Sequence, residues 1–243
     1  MLSTPQNSAV AGRIAANLAL LRERITAAAA TAGRGVDQIT LLAVSKGHAA
    51  SAVRAAYALG LVDFGENYVA ESLPKIRATC DLPLRWHFIG RLQANKTRAV
   101  AEHFAWVHGI DRLRIAERLS EQRPVHGPPL NVCVQVNVAG EATKGGVAPA
   151  ELPELLAALL PLPRLRLRGL MCMLPHEADA LAQREGFAAL RRLLEQANAG
   201  GAALDTLSMG MSADLEAAVL EGATILRIGT ALFGERTAAA PAG

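Results

Sequence analysis

Short apolar runs alternate with longer amphipathic segments along most of the chain. The runs are about four to eight residues long and rich in Val, Ile and Leu, which is typical of strands buried on both faces of a parallel sheet. The amphipathic segments between the runs predict helices, and a further helix over 9–32 precedes the first strand. We predict eight strands, at residues 39–45, 61–64, 84–89, 106–109, 131–136, 165–172, 204–209 and 224–228.

The number of repeating units indicates the fold class. Eight strand–helix units within about 200 residues match the (β/α)₈ TIM barrel, an α/β fold. An open, doubly wound sheet is the alternative that the strand pattern leaves open. A length of 243 residues suits one barrel, and no linker or shift in composition divides the chain. The sequence predicts one domain over 1–243, with an extra N-terminal helix and a loose tail over 236–243.

Composition and charge exclude several functional classes. The basic residues are spread along the chain, so the net charge of +3 forms no basic patch of the kind that binds nucleic acid. No segment reaches the roughly 18 apolar residues of a membrane span, and the N-terminus lacks a signal-peptide pattern. Cys80, Cys133 and Cys172 fit no metal or disulfide spacing, and the last two lie in apolar runs. We expect a cytoplasmic protein with buried thiols and no metal, membrane or nucleic-acid partner.

The end of the first predicted strand carries the most reactive candidate residue. Lys46 directly follows the apolar run 41–45, which places its amine at the mouth of the barrel, where active sites of this fold lie. An amine near apolar walls has a lowered pKa and can attack an aldehyde. Arg cannot form an imine, and this Arg-rich chain keeps Lys at only four positions. The alternative is an ordinary loop lysine.

The loops after the last two predicted strands suit an anion. Segment 208–212 and the pair Gly229–Thr230 combine glycines with hydroxyl residues. Barrels often bind phosphate here, because glycine lets backbone N–H groups approach the anion and hydroxyls add donors. Ser212 and Asp214 fit a plain helix cap equally well.

Three further polar residues lie in or beside apolar strands. Arg227 is a cation within the eighth strand, and a buried Arg needs a partner. A structural carboxylate and a ligand atom that accepts a hydrogen bond meet that need equally well. His87 and Asn67 are either core polar residues or part of a pocket lining.

Five sequence motifs resemble those of a known protein family. They are Leu-Ala-Val-Ser-Lys at 42–46, Phe-Gly-Glu-Asn at 64–67, Trp-His-Phe-Ile-Gly at 86–90, Leu-Ser-Met-Gly-Met-Ser at 207–212 and Arg-Ile-Gly-Thr at 227–230. In this order they resemble the pyridoxal phosphate homeostasis protein family, over about residues 10–236. The resemblance implies the fold-type III barrel of the alanine racemase N-terminal domain, which holds pyridoxal 5'-phosphate (PLP). One departure is Gly47-His48-Ala49, where the family usually reads Thr-Lys-Pro.

The resemblance also implies roles for individual residues. It makes Lys46 the Schiff-base lysine and places Arg227 opposite the pyridine nitrogen of PLP. Lys144 matches a family lysine that is tied less directly to the cofactor. The remaining residues that the resemblance places at the cofactor are phosphate contacts Ser208, Gly229 and Thr230, their neighbours Met209 and Gly210, and the pocket-lining residues Asn67, His87 and Met171.

Two classes of function fit a PLP-binding barrel. The protein either buffers PLP and delivers it to apo PLP-dependent enzymes, or it is itself a PLP enzyme such as an amino-acid racemase or decarboxylase. Arg227 opposite the ring nitrogen would weaken the cofactor as an electron sink. A racemase adds a second acid or base, and neither Tyr57 nor Tyr68 is placed to supply one. We therefore predict a monomeric carrier rather than an enzyme; a barrel that binds another phosphorylated metabolite without an imine is a third possibility.

Overall fold

A computed structural model describes residues 5–140, 145–175 and 178–235, and its centre is a closed barrel of eight parallel strands. The strand order follows the chain, and the pairing of β1 with β8, with Leu42 opposite Arg227, closes the barrel. The predicted TIM barrel is therefore confirmed. The strands are β1 (Thr40–Val44), β2 (Asp63–Glu66), β3 (Arg85–Phe88), β4 (Trp106–Ile110), β5 (Leu130–Gln135), β6 (Leu165–Met171), β7 (Thr206–Ser208) and β8 (Ile225–Ile228).

Helices alternate with the strands around the barrel, as the amphipathic segments predict, and the N-terminal helix begins at Pro5 instead of residue 9. Strand β2 differs in the same way, because it includes Gly65 and Glu66, which pair with His87 and Phe88 of β3. The helices are α1 (Pro5–Thr31), α2 (Ala50–Ala58), α3 (Val69–Ala78), α4 (Thr97–His103), α5 (Leu113–Gln122), α6 (Leu152–Leu159), α7 (Ala180–Ala199), α8 (Leu215–Leu220) and α9 (Thr230–Phe233).

Side-chain alternation along the strands separates two apolar clusters. The larger cluster fills the space between strands and helices and includes Leu226 and Ile228, the neighbours of Arg227. A smaller, separate cluster lies inside the barrel, and its buried members are Leu42, Val44, Ile89 and Ile225. Because successive side chains of a strand point to opposite faces, Arg227 projects into the interior of the barrel.

The extra N-terminal helix packs across one side of the barrel. Its buried residues Ile14, Leu18, Leu21 and Ile25 recur at helical spacing and form one apolar stripe. Asn17 Nδ2 donates to the Leu232 carbonyl at 3.0 Å, which ties α1 to the short helix α9 after the last strand. Helix α1 therefore supports the loop at which the predicted phosphate contacts Gly229 and Thr230 lie.

The structure also bears on the predictions made for the cysteines and for membrane-spanning segments. Cys133 and Cys172 are buried free thiols, as predicted, and burial raises the pKa of each to about 12. None of the helices in the described ranges is both long enough and apolar enough to span a bilayer. Lys144 and the predicted tail over 236–243 lie outside the described residues.

Candidate functional site

A cavity of about 220 Å³ opens where β1, β2 and β8 end. Five of the predicted site residues line it: Lys46, Asn67, Arg227, Gly229 and Thr230. Barrel closure therefore joins the amine after β1, the cation of β8 and the glycine–hydroxyl pair after β8 in one site. The remaining lining residues are Val44, Ile89, Met173, Pro175, Gln183, Met211, Ser212, Ala213 and Asp214.

The other five predicted residues are buried and do not belong to this lining. Gly210 has a φ of 90°, and a Cβ there would lie 2.5 Å from the Cβ of Ala218 in α8. Packing against α8 and the left-handed backbone therefore account for this glycine. His87, Met171, Ser208 and Met209 are at most 1 % exposed. Direct contact between these five residues and a ligand stays a prediction.

The loop after β7 contributes lining residues that the sequence left ambiguous. Ser212 Oγ accepts a hydrogen bond from the Ala231 N–H at 3.2 Å, and Asp214 Oδ1 accepts one from the Met211 N–H at 2.5 Å. Asp214 stands at the N-cap of α8 without a side-chain cap bond. These two side chains therefore shape the cavity loop instead of capping α8. The sequence did hold a signal that these two residues belong to the site, because they lie close to Gly210 of the predicted anion-binding segment 208–212.

Asn67 lines the cavity and carries a buried polar atom. Its Oδ1 is buried and has no hydrogen-bond partner among the described residues. The backbone at Asn67 is fixed by the end of β3, because a Cβ at Gly90 would lie 2.2 Å from the Asn67 carbonyl oxygen. A buried amide oxygen without a partner costs free energy, and a ligand that donates a hydrogen bond would remove that cost.

An ion cluster, formed by the buried Lys75 and Glu66 and the half-buried Glu71, lies beside Lys46. The Lys75 ammonium is 2.6 Å from Glu66 Oε1 and 2.8 Å from Glu71 Oε1. Burial raises the pKa of Glu66 even though Lys75 opposes the shift. Burial also acts to raise the pKa of Glu71, but the hydrogen bonds from Lys75 and from the Gly47 N–H outweigh it, and the net shift is downward. The Lys75 cluster was not recognised in the sequence, because a Glu–Lys pair at i,i+4 resembles an ordinary surface pair.

The Lys75 cluster holds the backbone on both sides of Lys46. Lys75 Nζ donates to the Ser45 carbonyl at 2.7 Å, and Ser45 Oγ donates to Glu66 Oε1 at 2.6 Å. On the other side, the Gly47 N–H donates to Glu71 Oε1 at 2.5 Å. These three hydrogen bonds fix the chain on both sides of Lys46, whose side chain lines the cavity.

The segment 47–49, which departs from the family motif after Lys46, also contributes to the structure of the site. Gly47 has a φ of 77°, a left-handed conformation that glycine adopts without strain. The His48 ring stacks on Phe233 of α9, with ring centroids 5.0 Å apart. This contact links the segment after β1 to the helix after β8, so both sides of the cavity mouth are joined.

Arg227 occupies the floor of the cavity. One terminal nitrogen donates to Ser208 Oγ at 2.9 Å, and the other donates to the Cys172 carbonyl at 2.8 Å. No carboxylate of the described residues lies within hydrogen-bond distance of it, so of the two partners that the sequence left open, the structural carboxylate is not observed. Burial lowers the pKa of this guanidinium, although an Arg remains charged at neutral pH.

Below Arg227, a line of buried polar side chains runs through the barrel. Ser208 Oγ is 2.7 Å from His108 Nδ1, His108 Nε2 is 2.9 Å from His87 Nδ1, and His87 Nε2 is 3.0 Å from Asp63 Oδ1. Arg85 pairs with Asp63 at 2.6 Å at the far end. We call Ser208, His108, His87 and Asp63 the polar line.

The surroundings of the polar line keep both imidazoles neutral. Burial, with His87 and Arg227 nearby, holds the pKa of His108 well below its usual range. Burial likewise lowers the pKa of His87, and the hydrogen bond to Asp63 only partly opposes it. For Asp63, burial acts to raise the pKa, but the hydrogen bonds from His87 and Arg85 outweigh it and the net shift is downward.

The fold and the cavity define a class of protein, the alanine racemase N-terminal-domain barrels. The family model for this domain matches residues 13–237. The structure of alanine racemase from Corynebacterium glutamicum shares the fold, with a TM-score of 0.67 and 19 % identity over 96 % of this chain and 63 % of that chain.

Closer relatives narrow the class to one family. The pyridoxal phosphate homeostasis protein of Pseudomonas aeruginosa is 60 % identical over 229 residues, which cover 94 % of this chain and 98 % of the relative. That of Escherichia coli K12 is 53 % identical over 230 residues, 92 % of this chain and 97 % of the relative. The chain belongs to the pyridoxal phosphate homeostasis protein family. A solved structure of PipY from Synechococcus elongatus with PLP bound is 39 % identical, with a TM-score of 0.80, over 91 % of this chain and 100 % of that chain.

Proposed function

We propose that this protein binds PLP in the cavity at Lys46, as a Schiff base, and that it buffers PLP or delivers it to apo PLP-dependent enzymes in the cytoplasm. The observation that carries the proposal is the meeting of Lys46, Arg227 and Gly229–Thr230 in one small cavity. An amine, a cation and a phosphate-type loop are the three features that an anionic aldehyde with a pyridine ring requires. One chain supplies all of them, so a monomer suffices.

Each group of the cavity has a role in this proposal. PLP, when bound, supplies an aldehyde for the amine and a ring that can withdraw electrons. The Lys46 amine attacks that aldehyde, and water leaves as the imine forms. Gly229, Thr230 and Ser212 hold the phosphate, since they lie together on the cavity wall. Arg227 donates toward the pyridine nitrogen from the cavity floor.

The scarcity of proton-transfer groups in the cavity supports a carrier function rather than an enzymatic one. Besides Lys46 and Arg227, the described lining contains one further titratable side chain, Asp214. Its Oδ1 already accepts the Met211 N–H. Neither Tyr57 nor Tyr68 belongs to the lining. A donor on Arg227 that leaves the pyridine nitrogen unprotonated also weakens the electron sink that racemases and decarboxylases use.

The proposal predicts a yellow protein that recognises phosphate. On mixing with PLP, the protein should develop the visible absorption of a protonated imine, and borohydride should fix one PLP per chain. Pyridoxal, which lacks the phosphate, should bind much more weakly. Thr230→Asp should repel the phosphate dianion and lower PLP affinity sharply while leaving pyridoxal binding nearly unchanged. Equal affinity of the unmodified protein for PLP and pyridoxal would contradict phosphate recognition by these loops.

A second experiment separates carrier from enzyme. General acid–base catalysis is typically worth about 10²–10⁴-fold, so its absence should leave at most trace loss of an amino acid's α-proton. The PLP-loaded protein is incubated with alanine in heavy water, and α-deuterium is followed by NMR. In parallel, an apo PLP enzyme is mixed with the loaded protein, and recovery of its activity is compared with equimolar free PLP. Deuterium exchange at ordinary enzyme rates, about 1–10³ s⁻¹, would refute the carrier function.

A further inference from the structure

We propose that the polar line acts as a set of positioning residues for Arg227: it fixes the direction in which this guanidinium donates, and thereby holds it against the ring nitrogen of the bound ligand. The inference rests on the proposed function, because it concerns the same cavity. The observations that support this inference are separate from those that support the proposed function, since the four side chains of the polar line lie outside the cavity lining.

The Arg227 end of the polar line fixes the role of Ser208 as an acceptor. A guanidinium only donates, so Ser208 Oγ must accept the bond from Arg227. The Ser208 hydroxyl keeps its own hydrogen and can donate it to His108 Nδ1, its other neighbour. In that arrangement His108 Nδ1 is bare, and the hydrogen of His108 sits on Nε2 and is donated to His87 Nδ1.

The opposite end of the line decides the assignment, because both imidazoles are neutral. The Asp63 carboxylate only accepts, so His87 Nε2 must carry the hydrogen in the bond between them. A neutral His87 therefore has a bare Nδ1 and accepts from His108 Nε2. Both ends agree on one arrangement, with two neutral imidazoles and every bond directed from Arg227 toward Asp63.

Burial and nearby charge protect this arrangement from reversal. His108 faces Ser208, His87 and the Arg227 cation, while His87 faces His108 and Asp63, with Arg85 beyond. A proton added to His87 Nδ1 would meet the hydrogen on His108 Nε2. A proton added to His108 Nδ1 would meet the Ser208 hydroxyl hydrogen and place a second positive charge near Arg227. Both imidazoles are completely buried or nearly so, which makes an added charge costly.

The consequence for Arg227 is a fixed orientation. Ser208 Oγ always accepts from one terminal nitrogen, and the Cys172 carbonyl holds the other. These two bonds set the plane of the guanidinium, and its remaining N–H groups are then available to the cavity that Arg227 lines. Loss of the line frees the Ser208 hydroxyl to rotate and Arg227 to turn.

The test uses two matched pairs of variants in the full chain. Ser208→Ala removes the hydroxyl, whereas Ser208→Thr keeps it. His108→Leu breaks the line, whereas His108→Gln offers one acceptor and one donor and cannot be protonated. Each protein is loaded with PLP labelled with nitrogen-15 in the ring. Imine absorbance gives the affinity, and the nitrogen-15 chemical shift reports the state of the ring nitrogen between about pH 6 and pH 9.

The expected results differ within each pair. Ser208→Ala and His108→Leu should still form the imine, with PLP affinity about tenfold lower, the loss expected when a buried donor loses its partner. Their nitrogen-15 shift should move away from that of the unmodified protein and become pH-dependent. Ser208→Thr and His108→Gln should keep the unmodified shift, flat with pH.

Other outcomes would overturn the inference. An unchanged nitrogen-15 shift in Ser208→Ala would show that the polar line is not needed to orient Arg227. This variant tests the inference even if His108→Leu fails to fold. The same altered shift in both members of a pair would show that packing alone is responsible. Failure of the unmodified protein to bind PLP would instead refute the proposed function, so the two failures are distinguishable.

Discussion

Replacing Lys46 with Ala should abolish the visible absorption of the PLP-loaded protein. The amine lines the cavity together with Arg227 and Thr230, and it supplies the nitrogen of the imine. The phosphate loop and Arg227 remain in the variant, so weak, non-covalent binding of PLP should persist. Absorption spectroscopy, with mass spectrometry after borohydride reduction, measures the loss directly.

Two control variants test whether the loss of absorption comes from the missing imine rather than from a change in charge or in the number of lysines. Lys46→Arg keeps the cation but cannot form an imine, and it should be as colourless as Lys46→Ala. Lys96→Ala removes an exposed lysine that lies outside the cavity lining, and it should stay fully yellow. Stoichiometric fixation of PLP by borohydride in Lys46→Ala would assign the imine to another residue.

Replacing Lys75 with Met should destabilise the protein by about 3–5 kcal/mol, the usual cost of removing one partner from a buried ion pair. The Glu66 side chain is fully buried, and the Lys75 ammonium is its only charged partner within ion-pair distance among the described residues. The same change frees the Ser45 carbonyl, so Lys46 should also form its imine more slowly. Urea unfolding gives the stability, and stopped-flow absorbance gives the rate.

The pH dependence of this loss has a definite sign. Burial already raises the pKa of Glu66, and removal of Lys75 takes away the interaction that opposes this rise. A carboxyl whose folded-state pKa is raised above its unfolded value destabilises the fold increasingly as pH rises from the unfolded toward the folded pKa. The stability deficit of Lys75→Met should therefore be largest at neutral pH and should shrink as the pH falls toward about 4.3, the unfolded value for Glu.

Matched variants test whether buried charge is the cause. Arg54→Met breaks the Arg54–Asp81 pair, whose side chains are 43 % and 57 % exposed, and should leave the free energy of unfolding nearly unchanged. Adding Glu66→Gln to Lys75→Met removes the uncompensated carboxylate and should recover part of the stability. No recovery in the double variant would show that packing of the Lys75 stem, rather than charge, accounts for the loss.

Local sequence determined the elements of the fold. Apolar runs such as 41–44 predicted strands covered by helices on both faces, and eight strand–helix units favoured a barrel over an open sheet, as the structure confirms. The position of Lys46 followed in the same way, because a residue directly after a strand lies at the carboxyl end of the barrel. Gly229 and Thr230 were predictable for the same reason.

The direction of individual side chains within a motif depended on the tertiary structure. Ser208 and Ser212 belong to one segment, yet the last residue of β7 points into the barrel toward Arg227, whereas Ser212 lines the cavity. Strand alternation ends with the strand, so the sequence could not tell which hydroxyl faces a ligand. Gly210 was likewise grouped with the cavity from the sequence, and only the structure shows its packing against α8; its contact with a ligand stays a prediction.

Polar networks across the barrel were decided only by the fold. Asp63, His87, His108 and Ser208 lie on four different strands, and each by itself is a single polar residue in an apolar run. Lys75 similarly looked like half of a surface pair until α3 placed it against Ser45 and Glu66. A sequence records which groups need a partner when they are buried; only strand register and barrel closure bring those partners within hydrogen-bond distance.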